Sequence, residues 1–303
     1  MPELPEVHTT TTGINKEVVG LKITDVWTNY NSSFHAGKNN IKNPSFFVSF
    51  KKEVAGKKIT SASRRGKNVL IHLENNKTIL VHMKMTGHIM CGKYKLTKDT
   101  KDPWKATEPG PLRDDSFNKW IHFVCVLSNK KHLVLSDMRK FAKVTLFETH
   151  EKSAHFDLKN LGPEPLSELT PLLLATQLSK KPRGLIKTVL LAQSIVAGVG
   201  NIYSDEILWL AGMHPERKVK DISPAEIKKI FSAMIDVLET GIELGGDSMS
   251  DYRNIHGLRG GFQNSHKAYR RTKQKCLKKG CSGIILRKVI GGRSAHFCDV
   301  HQK

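Results

Sequence analysis

In the first twenty residues, the positions expected to be buried recur at the spacing of a helix. The positions of this stripe recur every three or four residues: Leu4, Val7, Thr11, Ile14 and Val18. Such spacing lines one face of a helix, and the glycine at position 20 is a common stop signal. Pro5 suits the first turn of the helix. The pattern predicts an amphipathic helix over 3–19 that ties the N-terminus to a packed element.

Residues 21–147 instead carry the short apolar runs typical of strands. Runs at 69–73 and 78–83 flank an Asn-Asn pair and predict a hairpin. Three further runs predict a second antiparallel meander: 120–127, 132–136 and 143–147. The polar stretch 92–118 contains three prolines, which predicts a long surface loop.

The pattern becomes helical after residue 149. Residues 150–166 are polar, contain one glycine and two prolines, and predict a linker. Helices are predicted at 185–195 and 203–210. A third opens with the sequence SPAE at 223–226, a capping box with proline at the first helical position, and it ends at a glycine pair.

Charge adds a class of partner to this picture. The chain has 49 Lys and Arg against 28 Asp and Glu, a net charge of +21, and residues 264–303 hold 11 of these basic residues and one acid. A surplus of this size indicates a polyanion partner. Nucleic acid is the leading candidate. An anionic membrane ranks second, because we find no basic amphipathic helix and no apolar run near the roughly 20 residues of a membrane span.

The five cysteines fall into two groups. Cys91 and Cys125 lie in strand-like apolar surroundings and are predicted to be buried, unreactive thiols. The other three lie in the basic tail. An odd number of cysteines without a secretion signal indicates a reducing compartment.

The tail has the spacing of a metal site. It reads Cys276-x4-Cys281-x16-Cys298-x2-His301, two close pairs joined by a spacer of hairpin length. Each pair spans one tight turn, as tetrahedral zinc requires. Chance is a poor explanation, because all four residues lie within the last 28 of the chain. We predict one structural zinc per chain, held on a hairpin that turns at Gly291-Gly292.

Five segments then occur in the order in which one enzyme family carries them. They are PELPEV at the N-terminus, RRGKNVL at 64–70, AGVGNIYSDE at 197–206, GGFQ at 260–263 and GGR at 291–293. Together with the zinc hairpin, this series resembles the formamidopyrimidine-DNA glycosylase family of DNA repair enzymes over the whole chain.

The resemblance implies an α+β fold in three parts. These are an N-terminal β-sandwich with an N-terminal helix, a helical domain with a helix–two-turn–helix, and a zinc-finger β-hairpin. The implied boundaries are 2–149 for the catalytic domain, 150–166 for a linker, 167–265 for the helical domain with a lesion loop, and 266–303 for the zinc finger.

The resemblance assigns catalysis to Pro2, Glu3 and Lys67. In the family the initiator methionine is removed, and the secondary amine of the proline attacks C1′ of the damaged nucleotide. An α-amino group has a pKa of about 8, against about 10.4 for lysine, so much more of it is unprotonated at neutral pH. Glu3 would carry protons, and Lys67 would contact the phosphate beside the lesion, with a solvated loop lysine as the alternative. Glu6 either assists or makes a structural ion pair.

DNA contacts follow from the same resemblance. Gly200 and Asn201 belong to a glycine-rich turn whose backbone amides can approach a phosphate, with an ordinary interhelical turn as the alternative. Lys187 is assigned as a further DNA contact. Arg293 on the zinc hairpin would grip the same backbone.

A base inside a duplex must be flipped out before an enzyme can act on it, and a wedge must fill the gap. The resemblance assigns this task to Met85, Arg139 and Phe141. Plain strand core is the alternative for the methionine and the phenylalanine.

Several positions depart from the usual family pattern. The first cysteine spacing is four residues instead of two, and His301 replaces the last cysteine. Met138 and Ala142 stand where proline and glycine are usual, and Lys84 stands where glycine is common. No departure removes a catalytic group.

The function implied is a bifunctional glycosylase and abasic-site lyase for oxidised purines in double-stranded DNA. One alternative is an endonuclease VIII-type glycosylase for oxidised pyrimidines; Leu4, the three wedge residues and the long 245–265 loop argue against it. Another is a non-enzymatic DNA-binding zinc protein, against which the intact catalytic residues argue. We expect a monomer that binds no membrane and lies in the cytoplasm with the nucleoid of a bacterial-type cell.

Overall fold

The computed structural model describes residues 1–98, 102–153 and 155–303. The chain forms two compact units. The first contains Met1–Lys159 and Leu244–Gly261, and the second contains Asn160–Glu243 and Phe262–Lys303. The segment 244–261 therefore groups with the first unit, whereas the sequence assigned it to the helical domain. The segment belongs to the first unit because it forms hydrogen bonds with the N-terminal helix.

The predicted N-terminal helix is present as α1 (Leu4–Glu17), and the buried residues of its stripe face the core of the first unit. Its second half is fixed to a neighbouring strand by two hydrogen bonds, because the Asn15 side chain donates to Ala62 O and accepts from Ala62 N, each at 2.8 Å. The polypeptide enters the helix from a buried end, so Pro2 and Glu3 lie against packed structure.

The strands of the first unit are β1 (Ile23–Thr28), β2 (Ile59–Arg65), β3 (Asn68–Leu73), β4 (Lys77–His82), β5 (His88–Gly92), β6 (Tyr94–Leu96), β7 (Trp104–Ala106), β8 (Ile121–Leu127), β9 (His132–Ser136) and β10 (Lys143–Glu148). Two four-stranded antiparallel sheets have the orders β1-β8-β9-β5 and β10-β4-β3-β2. Apolar residues of both sheets and of α1 share one core, which makes this unit a sandwich.

The predicted hairpin is confirmed as β3 and β4, but the predicted second meander is only half correct. Strands β8 and β9 pair as expected, whereas β10 leaves them and pairs with β4 in the other sheet. The six-residue connection that crosses between the sheets is organised by Asp137, whose buried carboxylate accepts from Ala142 N at 2.7 Å.

The polar stretch 92–118 is not a plain surface loop. It contains the short hairpin β6–β7 and the helical turn α3 (Pro111–Asp114), while residues 99–101 lie outside the described part. Tyr94 and Trp104 are buried and pack on the outer face of the sheet that contains β8 and β9. Covering that apolar face is the physical reason for order in a proline-rich segment. The helix α2 (Pro44–Val54), which the sequence reading missed, also belongs to this unit.

The two cysteines of the first unit behave as predicted. Both are buried, and burial raises the pKa of Cys91 to about 11 and that of Cys125 to about 12. Neither thiol is a nucleophile near neutral pH.

The second unit contains α4 (Pro171–Ser179), α5 (Ile186–Leu191), α6 (Asn201–Ala211), α7 (Pro224–Glu243) and the hairpin β11 (Leu286–Ile290) with β12 (Arg293–Phe297). The capping box of α7 is present, since Ser223 N donates to Glu226 Oε2 at 2.8 Å. Gly212 ends α6 with φ 69°. The hairpin turns at Gly291-Gly292, both with positive φ, as the sequence predicts. Helix α4 was missed. No helix in the described ranges is both long and apolar enough to cross a membrane.

Candidate active site and metal centre

The N-terminus is held in place by the carboxylate of Glu6. Its Oε2 accepts from Glu3 N at 2.6 Å, which closes the first turn of α1 around the start of the chain. Pro2 and Glu3 are both buried, whereas Met1 is 39% exposed. Met1, whose removal the predicted chemistry requires, is thus accessible, and Pro2, the predicted new terminus, is buried.

The second oxygen of Glu6 fixes the segment 244–261. Glu6 Oε1 accepts from Asp247 N at 2.6 Å, and a Cβ on Gly246 would lie 2.8 Å from that carboxylate oxygen. Gly246 has φ 85°, so both its conformation and this close approach require glycine. Glu6 therefore joins the N-terminus and this segment through backbone N–H groups, and it is 1% exposed.

Three further contacts anchor the same segment on the first unit. Tyr252 Oη donates to the backbone oxygen of Glu6 at 3.0 Å. Arg253, whose side chain is 3% exposed, pairs with Asp115 at 2.6 Å. Ile255 packs so closely on α1 that a Cβ on Gly13 would lie 2.6 Å from it. The segment predicted to cover the lesion is thus held against α1 by contacts with Glu6 and Gly13, and against Asp115.

Lys67 lies in the tight turn between β2 and β3, directly after Gly66 with φ 56°. It is 8% exposed, so it is not a freely solvated loop lysine. Burial, with Lys84 and Lys67 nearby, lowers the pKa of His82 to about 3. The imidazole of His82 is therefore neutral at pH 7.

The three residues assigned to the wedge lie on two neighbouring loops of the first unit. Phe141 is 49% exposed, and the guanidinium of Arg139 lies 4.5 Å from the centre of its ring. Met85 is partly buried. Arg139 N donates to Thr86 Oγ1 at 3.1 Å, which joins the two loops. The exposure of Phe141 argues against its alternative role as strand core.

Asp137 organises both loops, and the sequence reading gave it no role. It is fully buried, its Oδ1 accepts from Thr86 Oγ1, and its Oδ2 accepts from Tyr30 Oη at 3.1 Å as well as from Ala142 N. Its position directly before the arginine and phenylalanine of DMRKFA was the one available signal.

Lys187 requires a correction. It was predicted to contact DNA, but it is fully buried, and its ammonium donates to Asp205 Oδ1 at 2.6 Å, Ser204 Oγ at 2.7 Å and Asn201 O at 3.0 Å. A buried charge needs such partners, and these leave it no access to a phosphate. Lys187 instead fixes the first turn of α6, where Asn201 lies.

The glycine-rich turn before α6 is held by Gln193. Its Nε2 donates to Val199 O at 2.7 Å, and its Oε1 accepts from Gly198 N at 2.9 Å. Gly198 has φ 89°, and Gly200 is the N-cap of α6. Asn201 follows as the first helical residue, and its buried Oδ1 has no hydrogen-bond partner within the described residues. The turn thus presents a helix N-terminus built from small residues.

Helix α6 also holds the C-terminal tail. Asp205 Oδ2 accepts from both N and Nδ1 of His296 on β12, at 3.0 and 2.9 Å. Glu206 accepts from three consecutive backbone N–H groups at 267–269, at 2.7 to 3.0 Å, and its burial raises the pKa of the carboxyl. Arg293, at the start of β12, is exposed. The two acids at the end of the AGVGNIYSDE motif therefore position the hairpin that carries this arginine.

Three of the four predicted metal ligands converge. The sulfurs of Cys276, Cys281 and Cys298 all lie within 4.8 Å of one another, and Cys281 Sγ is 3.7 Å from Cys298 Sγ. Tetrahedral zinc with bonds of about 2.3 Å to sulfur would separate two sulfurs by about 3.8 Å. A Cβ on Gly283 would lie 2.5 Å from Cys298 Sγ, so the loop is shaped around these sulfurs. The cluster fits a metal site.

His301, the fourth predicted ligand, is not part of this cluster. Its Nε2 lies 2.8 Å from the backbone oxygen of Trp209 on α6, and the indole Nε1 of Trp209 donates to Cys276 Sγ at 3.4 Å. Trp209 therefore contacts one cysteine of the cluster through its side chain and His301 through its backbone.

Comparison with known proteins agrees with this geometry. Residues 1–144 match the model of the formamidopyrimidine-DNA glycosylase N-terminal domain, and residues 161–253 match that of the formamidopyrimidine-DNA glycosylase H2TH domain. The chain belongs to the formamidopyrimidine-DNA glycosylase family. A relative of that name from Streptococcus mutans is 34% identical over 303 residues and all of both chains, and one from Bacillus subtilis is 36% identical over 98% of each.

Solved structures of formamidopyrimidine-DNA glycosylase are similar over the whole chain. A Lactococcus lactis mutant enzyme bound to DNA that contains Fapy-dG has a TM-score of 0.82, with 31% identity and all of both chains covered. The Lactococcus lactis protein bound to DNA with an abasic site has the same TM-score and identity over 99% of each chain. The predicted family, the predicted fold and the class of DNA glycosylase are confirmed.

The structure explains one departure from the usual glycosylase sequence pattern. Lys84, where the family commonly has glycine, takes φ 54°. Glycine adopts this conformation without strain, so the family preference is explained by the backbone, and this chain tolerates a lysine there.

Proposed function

We propose that this protein excises 8-oxoguanine and formamidopyrimidines from duplex DNA with the amine of Pro2, and then cleaves the abasic site by β,δ-elimination. The observation that best supports this is the double clamp of Glu6, which fixes the start of the chain and the segment 244–261 together. A nucleophile at a chain terminus needs such a clamp, because free termini are frayed.

The chemistry assigns one task to each residue. The nitrogen of Pro2 attacks C1′ of the deoxyribose as the glycosidic bond breaks; the bonding electrons leave with the base, which takes up the proton that the amine loses. Glu3 supplies a proton to the ring oxygen as the sugar opens, and the resulting iminium draws electrons from C2′. Loss of the 3′ phosphate and then of the 5′ phosphate follows, while Lys67 binds a phosphate beside the lesion.

The remaining DNA contacts come from Gly200, Asn201 and Arg293. Backbone amides at the start of α6 would bind one phosphate, with the Asn201 amide as an additional donor. Arg293 would bind another from the hairpin. Lys187 acts on DNA only through the turn that it fixes.

The wedge gives the first prediction. Phe141→Ala is expected to slow excision from duplex DNA roughly tenfold, because one stacked aromatic is worth about 1–3 kcal/mol, while the thermal unfolding temperature stays nearly unchanged. Single-turnover rates on an 8-oxoguanine duplex, with Met138→Ala as a control of similar exposure, measure this. A large loss of stability with Phe141→Ala would show that the ring is part of the core.

Glu6 gives the second prediction. Glu6→Ala leaves two buried N–H groups without their carboxylate acceptor, at a cost of about 1–3 kcal/mol each. We expect lower stability and a strongly reduced excision rate, with affinity for undamaged duplex retained. Glu6→Gln keeps the shape and one acceptor oxygen and should recover part of both. An excision rate in Glu6→Ala equal to that of the unmodified protein would contradict this role.

The metal is proposed to be one structural zinc per chain, with His301 as the fourth ligand. Metal-binding histidines usually donate their second ring N–H to a carbonyl or carboxylate, and Trp209 O accepts such a bond from His301. His301→Cys should retain one zinc per chain by elemental analysis, and His301→Ala should bind it more weakly. Equal zinc affinity in all three forms would remove His301 from the ligand set.

We further infer that the protein acts in the bacterial cytoplasm, where its substrate lies.

The proposed reaction is tested by its products. With a 5′-labelled duplex that contains 8-oxoguanine opposite cytosine, we expect a strand break flanked by phosphates on both sides. Release of the base without strand cleavage would contradict the lyase step. Faster processing of thymine glycol than of 8-oxoguanine would favour the endonuclease VIII-type alternative.

A further inference from the structure

A second concave site lies in the first unit, apart from Pro2. It has a volume of about 610 Å³ and is lined by residues of the 35–40 segment, by Lys143 and Thr145 on β10, and by residues 155–157. We call it the β10 cavity. None of its lining residues has a role in the excision chemistry above.

One strongly exposed aromatic ring lines this cavity, and a second lies beside it, against the lining residues His35 and Lys38. Phe156, which lines it, is 77% exposed, and Phe34, next to the lining residue His35, is 76% exposed. Each ring has an ammonium group near its face. Lys38 Nζ lies 3.8 Å from the centre of the Phe34 ring, and Lys159 Nζ lies 5.9 Å from that of Phe156. Aromatic faces combined with lysines are the platforms on which proteins stack the bases of single-stranded nucleic acid.

The wall of the cavity contains unused hydrogen-bonding groups. Thr145 is 1% exposed, and its Oγ1 has no partner in the part of the chain that the structure describes. The Nδ1 atom of His35 is also buried and has no hydrogen-bond partner among the described residues. Buried polar atoms are normally paired, so two orphaned atoms in one cavity indicate a polar ligand.

The lysines at the cavity favour a polyanionic ligand, although one of them is already paired with a carboxylate. Lys143 is paired with Asp157 at 2.5 Å, and Asp157 also lies 3.7 Å from His155 Nδ1. Lys38 and Lys159 remain as the positive groups at the rings. Burial, with Lys42 and Lys38 nearby, lowers the pKa of His35, so its ring is neutral at pH 7 and can hydrogen-bond to an uncharged base edge.

The cavity adjoins the wedge loop. Lys42 Nζ donates to Lys140 O at 2.6 Å, and Ile41 N donates to Val144 O at 3.1 Å. The segment that forms one wall is thus bonded to the loop that carries Arg139 and Phe141. A strand opened by that wedge would have unpaired nucleotides close to this wall.

We propose that the β10 cavity and the neighbouring Phe34 bind two unpaired nucleotides of single-stranded DNA, with one base stacked on Phe156, another on Phe34, and their phosphates on Lys38 and Lys159. The base edge pairs with Thr145 Oγ1 and His35 Nδ1. This binding does not require the Pro2 amine, so it stands independently of the excision reaction.

The test measures the affinity of the full-length protein for a fluorescein-labelled 12-mer of thymidylate by anisotropy. The double variant Phe34→Ala with Phe156→Ala is expected to bind about tenfold or more weakly, because two stacked bases are lost. Phe34→Tyr with Phe156→Tyr should bind as the unmodified protein does. Val48→Ala, which changes a 58% exposed residue on α2, is the matched surface control.

Two further readouts separate stacking from charge. The alanine double variant should bind inorganic polyphosphate and blunt undamaged duplex with unchanged affinity. A thymidylate 12-mer that carries 5-iodouracil should cross-link to Phe34 or Phe156 on irradiation. Unchanged thymidylate affinity in the alanine double variant, or cross-links only to residues outside the β10 cavity and Phe34, would overturn the proposal.

Discussion

A form of the protein that retains Met1, or carries extra residues ahead of Pro2, is expected to excise 8-oxoguanine about a thousandfold or more slowly, as other enzymes do without their nucleophile. The reason is electronic. In the extended chain the nitrogen of Pro2 belongs to an amide, and its lone pair is delocalised into the carbonyl. No lysine can replace it at neutral pH without a large shift in pKa.

The control for this loss is DNA binding. Phosphate contacts are proposed for Lys67, Asn201 and Arg293, and an extension of the N-terminus leaves these side chains unchanged. The affinity of the extended form for a duplex with an uncleavable abasic analogue should therefore stay within a few-fold of that of the processed protein. In the processed protein, Pro2→Gly replaces the secondary α-amine by a primary one and should retain part of the excision rate. An extended form that excises as fast as the processed protein would exclude the terminal amine as nucleophile.

Removal of the proposed zinc is expected to have the second largest effect. The hairpin has a small core of its own, and ligand binding supplies much of the folding energy of such elements. Stripping the metal, or Cys298→Ser, should loosen the loops that hold the three cysteines and displace Arg293. Loss of one charge-assisted contact of about 1.5–3 kcal/mol corresponds to roughly ten- to a hundredfold in DNA affinity.

The structure also limits the effect of metal loss. Asp205 and Glu206 bind His296 and residues 267–269 through hydrogen bonds in which the three cysteines take no part, so the base of the tail should remain attached to α6. Limited proteolysis should cut near 276–283 and leave the first unit intact. Cys91→Ala, in the first unit, is the control and should keep its metal content. A metal-free protein that binds lesion DNA normally would contradict this account of the tail.

The elements that the sequence predicted well are those with local signals. The N-terminal helix has a regular stripe, α7 has a capping box, and the tail hairpin turns at a glycine pair. Helices α2 and α4 were missed although each begins with a capping residue followed by proline, Asn43-Pro44 and Thr170-Pro171. The aromatic run in α2 favours a strand by propensity, and burial of Phe50 in the core of the first unit overrides it.

The site was predictable where the family motif is local, and not where partners are distant in sequence. Glu6 meets Asp247, 241 residues away, and its role as a backbone clamp could not be read from either residue alone. Lys187 was assigned to DNA from the resemblance, and its burial could not be predicted from its own segment, because it depends on Asp205 on another helix. The crossing of β10 to the other sheet likewise depends on the buried contacts of Asp137.

The most direct test of the central claim is borohydride trapping on duplexes that carry different lesions, followed by mass spectrometry of the adduct. We expect a covalent protein–DNA complex with 8-oxoguanine opposite cytosine, formed faster than with thymine glycol or dihydrouracil, and attached at Pro2. An adduct on a lysine, faster trapping on the oxidised pyrimidines, or no adduct at all would contradict the proposed function.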